Sequence, residues 1–110
     1  MPVESALALL IMAHDDQQRQ AMVWHPILEE VARAHCVDMA TRRYEGHTSP
    51  DGFGPNYRVR QAGYVLPTWY GDDPDSNNIE SLQWGGDGDL DYSFPHWLTS
   101  ERHKIHLLGL

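Results

Sequence analysis

The chain has 110 residues, 41% of them hydrophobic, which suits one small domain with a modest core and leaves no room for a second. Sixteen acidic against eight basic side chains give a formal charge of -8, so a phosphate backbone would be repelled and nucleic acid is set aside as a partner. The single Cys36 excludes an internal disulfide; it falls in a helical pattern and reads as a small, buried, inert thiol that says nothing of compartment.

The apolar run ALALLIMA, residues 6–13, is far shorter than the roughly 20 residues that span a bilayer. It has no basic segment before it and no small-residue cleavage site after it. It therefore predicts a packed helix, over residues 3–20, rather than a transmembrane segment or a signal peptide. The clearest periodicity follows in PILEEVARAHCVDMATRRY, residues 26–44. Leu28, Val31, Ala32, His35, Cys36, Met39 and Ala40 recur at helical spacing, with charges elsewhere on the wheel. Pro26 suits the first turn, the acidic pair sits near the positive end of the dipole and the arginine pair near the negative end.

Beyond Tyr44 glycine and proline punctuate the chain. Residues 56–61 predict a short helical turn stopped near Gly63. Residues 64–70 carry aromatic and β-branched side chains, but Pro67 reduces them to an edge or irregular strand. Residues 77–82 (NNIESL) predict a short strand, and residues 91–108 a last helix interrupted at Pro95. The run WGGDGDLDY, residues 84–92, alternates Asp87, Asp89 and Asp91. The glycine and glutamate that a calcium loop needs at its sixth and twelfth places are Tyr92 and Leu98, so a solvated loop is preferred.

Several blocks arrive together: Leu28 with ARAHCVDMA at 32–40, HTSPDG at 47–52, Arg58 and AGY at 62–64, NNIE at 77–80, and WLTSERHKIHLL at 97–108. In this order they resemble the CAP or SCP superfamily of cysteine-rich secretory, antigen 5 and plant pathogenesis-related proteins, nearest its cysteine-poor bacterial branch. The resemblance implies an α+β fold, the CAP-like α-β-α sandwich, as a single domain over 1–110. The strands that complete the family's sheet would fall beyond Leu110, so the chain reads as partial. It also implies secretion or a cell-surface location.

The same resemblance implies a cleft in which two histidines and acidic residues hold zinc or another divalent cation. His47 and His103 match the histidines. Asn77 stands where the family has a glutamate, and Ser100 aligns with its second acidic position. Glu80 lies three residues on, and in a strand it would project opposite to Asn77. His35 reads instead as a core histidine with one nitrogen satisfied, and His103 with His106 as either a solvated helix face or a second metal pair. Ser49 has no orienting acid or oxyanion site that sequence can place.

Three functions remain in play. One is a binding module whose cleft takes a small apolar ligand, a lipid or a peptide, with or without metal. Another is a metal-assisted, protease-like hydrolase using His47 and His103. The third is a structural subunit whose incomplete sheet edge docks on a partner strand. Replacement of the family glutamate by Asn77 favours binding over catalysis.

Overall fold

The computed structural model describes residues 2–82 and 90–110. Five helices occur among them: α1 (Pro2–Ala13), α2 (Pro26–Arg42), α3 (Pro55–Gln61), α4 (Leu90–Leu98) and α5 (Glu101–Leu108). The chain divides into two compact units, one of residues 1–23 with 83–110, the other of residues 24–82. The aspartate-rich run at Asp87 and Asp89 lies outside the described residues.

In the first unit, α1, α4 and α5 pack on one another around Ile11 and the fully buried Leu108. The first helix stops at Ala13, short of residue 20, because the polar stretch after it has other partners. Asp16 N–H donates to His14 Nδ1 at 3.0 Å, starting a turn. Gln17 Nε2 donates to Leu107 O at 2.9 Å, Gln18 N–H to Leu108 O at 2.9 Å, and the Arg19 guanidinium to Leu107 O and His106 O at 3.0 and 2.7 Å. Those carbonyls are among the last four of α5, which have no partner within the helix, and a cation at that end also suits the dipole. Pro95 lies inside α4 without ending it; the break comes at Ser100, whose extended backbone opens α5.

In the second unit, α2 begins as its sequence suggests. His25 is the N-cap, its Nδ1 accepting the Ile27 N–H at 3.2 Å, and Pro26 occupies the first turn. The helix closes at Arg43, a left-handed residue (φ 58°) whose N–H returns to Met39 O. Helix α3 packs against α2, with Val59 and Leu66 supplying the unit's buried apolar side chains. The apolar face of α2 is covered only in part: His35 is buried, Leu28, Val31 and Met39 are half-buried, and Cys36 is exposed rather than buried.

The α-β-α sandwich is overturned: among the described residues there is no strand, and neither 64–70 nor 77–82 joins a ladder. The reason lies in where the backbone of this stretch finds its hydrogen bonds. Side chains of α3 take them: Arg60 donates to Gly71 O and Pro67 O, and Asn56 donates to Gly71 O and accepts the Asn78 N–H. Pro67 and Pro74 carry no N–H to offer a neighbouring strand. With no described strand edge to extend, docking through an incomplete sheet loses its basis.

Candidate functional site

The candidate site is built on the loop between α2 and α3, and four contacts fix that loop. His35 is 2% exposed, and its Nε2 bonds Gly46 O at 2.8 Å, one residue before His47. Arg58 Nη2 donates to His47 O at 2.6 Å. Arg42 meets Asp51 at 2.8 Å, and Gly54 N–H donates to Pro74 O at 2.7 Å. Only glycine fits at position 54, since a Cβ there would lie 2.6 Å from Asp75 O. The core histidine expected at position 35 is thus also the anchor of the loop that carries His47.

A second turn delivers the carboxylate. Asn77 Oδ1 accepts the N–H groups of Ile79 and Glu80 at 3.1 and 2.9 Å, and its Nδ2 donates to Glu80 O at 3.2 Å. This local turn replaces the expected strand, so the alternation that would have sent Glu80 away from Asn77's face does not apply. Behind it sits Asn56, 0% exposed, whose Nδ2 donates to Asn78 Oδ1 at 2.8 Å while its Oδ1 takes the Asn78 N–H at 2.9 Å. Sequence reasoning missed Asn56, because a reciprocal pair spanning 22 residues leaves no periodic trace.

The two turns bring His47 and Glu80 together, with Nδ1 2.7 Å from Oε2. A carboxylate only accepts, so the imidazole donates from Nδ1 and, when neutral, carries its lone pair on Nε2. Arg58 adds a longer 3.4 Å contact to the other Glu80 oxygen and balances its charge. Glu80 is largely shielded while His47 is about one-third exposed, which places the imidazole at the surface and its orienting acid behind it. The pair therefore has a fixed tautomer and a single outward-facing basic nitrogen. Glu80 also lines a groove of about 410 Å³ whose walls are apolar, formed by Leu28 and Val31 of α2, Val59 of α3, and Leu66 and Ile79 of the loops.

The other residues read from sequence lie elsewhere. His103 and Ser100 belong to the first unit: His103 is half-buried on α5, and Ser100 is that helix's N-cap without a side-chain capping bond. His106, three residues on, is exposed. Ser49 is buried, and its hydroxyl accepts the Phe53 N–H within its own loop. Among the described residues no group of three or more His, Cys, Asp or Glu side chains is gathered as metal ligands would be.

The sequence model of the cysteine-rich secretory protein family, CAP, matches residues 16–108. No curated protein and no solved structure matches the chain. The matched span holds α2, α3, the loop of His47 and the turn of Glu80, and the chain belongs to the cysteine-rich secretory protein family, CAP.

Proposed function

We propose that this chain is a secreted binding module whose apolar groove takes a small apolar ligand, a lipid chain or an apolar peptide, with His47 and Glu80 at the polar end. The observation that carries the reading is the double role of Glu80, which lines the groove and holds the His47 ring at 2.7 Å. An apolar wall with one convergent polar pair is the usual composition of a small-ligand pocket, and about 410 Å³ lies within the usual size range. Among the described residues no helix is long and apolar enough to cross a membrane.

The family resemblance implies a divalent cation. Within this unit the donors do not fit one: His47 Nδ1 is taken by Glu80 Oε2 and Arg58 faces Oε1, so the His47 Nε2 lone pair and one carboxylate already paired with two cationic or N–H groups are the donors left. Zinc sites use three or four protein donors, so no step of this reading runs through a metal. A protease-like reading draws on the same pair, because a carboxylate that fixes an imidazole tautomer can make Nε2 a general base toward water. Ser49 is buried in its own loop, where its hydroxyl accepts the Phe53 N–H, and among the described residues no hydrogen bond joins it to His47.

Thermal unfolding with decanoate and with trileucine, each in chelator and again in excess zinc, tests the reading. At least one probe raises the midpoint equally in both conditions, and Val65→Asp, at an exposed groove-lining position, removes the shift. Stabilisation by neither probe, or only with zinc, sinks it. Zinc-dependent cleavage of an unfolded protein substrate, abolished by His47→Ala, would favour the hydrolase instead.

A further inference from the structure

A second hollow of about 420 Å³ opens in the same unit, with four charged side chains in its lining, Asp38, Arg42, Asp51 and Arg58. Asp38 and Arg42 of α2, Asp51 and Phe53 of the loop, and Tyr57 and Gln61 of α3 contribute to its walls. We propose that this hollow binds a neutral saccharide, with the Phe53–Tyr57 pair as its platform and the Asp38–Arg42–Asp51 cluster as its hydroxyl-binding side.

Charge argues against an acidic ligand. Arg42 Nε and Nη2 meet the two Asp38 oxygens at 2.7 and 2.6 Å, and Nη2 also meets Asp51 at 2.8 Å. Tyr44 O–H donates to Asp38 as well, and Arg58 is engaged by Glu80 and His47 O. Asp38 and Asp51 share the one guanidinium of Arg42, which leaves a negative charge in surplus, so an anionic ligand would be repelled and would have to break an ion pair in order to make one. A hydroxyl does not: it donates to a spare carboxylate lone pair and accepts from a guanidinium N–H, and the cluster presents both in fixed orientation.

The platform argues for a ring with apolar faces. Phe53 and Tyr57 stack at 4.2 Å with their planes 9° apart, and Phe53 is exposed. A flat aromatic surface next to fixed polar groups suits a pyranose, whose C–H face and hydroxyl rim need those two surroundings side by side. A lipid chain would cover the cluster's remaining lone pairs and N–H groups with nothing to bond. Arg58 also borders the hollow, and its buried Nε–H finds no acceptor among the described residues. That is a donor still short of an oxygen.

Amide proton–nitrogen correlation spectra of the whole 110-residue chain, titrated with maltose, cellobiose or N,N′-diacetylchitobiose to about 20 mM, read weak binding residue by residue. At least one disaccharide is expected to shift the amides of residues 51–54, Asn56, Tyr57 and Gln61, leaving residues 79–81 unmoved. Phe53→Ala and Gln61→Ala, both at exposed positions, each weaken it by roughly tenfold, and Val65→Ala does not. Absence of shifts with all three disaccharides overturns the proposal. So do stronger shifts from glucuronate or adenosine, shifts that map to residues 79–81, or binding indifferent to both Phe53→Ala and Gln61→Ala.

Discussion

Cys36 is exposed on α2, yet its thiol is pushed up from its ordinary value, first by partial desolvation and then by the negative charge of Glu80. Less thiolate at neutral pH means a slow nucleophile. Removing the charge in Glu80→Gln is expected to speed its reaction with a disulfide reagent at pH 8, whereas Asp51→Asn leaves the rate alone. An unchanged rate in Glu80→Gln would place Glu80 too far away to matter. Asp38 moves the other way. Hydrogen bonds from Arg42 and then from Tyr44 lower its pKa to about 2, against 3.8 for the free side chain. A depressed carboxylate contributes stability above its unfolded pKa and loses it as pH falls through the folded one. The Asp38 contribution is therefore complete above about pH 4 and fades toward pH 2. Midpoints measured across that window should fall less in Asp38→Asn than in the wild type.

At the scale of elements, the turn that carries Glu80 hangs on Asn56. Asn56→Ala leaves the Asn78 side chain and N–H short of partners around a buried position, a loss of about 1–3 kcal/mol in denaturant unfolding. Leucine at 56 should do no better, because shape is not what the site lacks. The left-handed Arg43 offers the opposite case: Arg43→Gly relieves its φ of 58° and is expected to gain about 0.5–1 kcal/mol. Helix α2 was legible in the sequence because its signals are local: Pro26 in the first turn, the 3.6-residue period, and Arg42 in the last turn. His47 came from the HTSPDG block. The pairing of His47 with Glu80 was not legible, since it depends on residues 77–80 being a turn held by Asn77's own side chain and not a strand. A propensity for extended backbone does not tell those two apart. The end of α1 was misjudged for a related reason: Gln17 and Arg19 bond carbonyls nearly 90 positions away, which no window can see.

At the scale of the whole molecule, the strands expected at 64–70 and 77–82 proved to be loops because side chains of α3, and Asn77's own side chain, took backbone hydrogen bonds there. The family blocks nevertheless carried the kinship correctly, since they lie on helices and tight turns. The division into two compact units makes the ligand's effect separable from general stabilisation. Each unit has its own buried apolar residues, Ile11 and Leu108 in one, Val59 and Leu66 in the other. A ligand that binds only the folded form stabilises what it touches by mass action, by about 2.7 kcal/mol at a hundredfold excess over its dissociation constant. Where sub-global openings dominate amide exchange, that gain slows exchange only in the unit whose opening destroys the site. Decanoate in the apolar groove should therefore slow hydrogen exchange in α2, α3 and residues 64–82, by up to about a hundredfold, while α5 exchanges as before. Equal slowing of α5 would mean that the units open together, and the groove's stability would then be that of the entire chain. Slowing of α5 alone would move the ligand out of the groove altogether, and the role assigned to Glu80 would go with it.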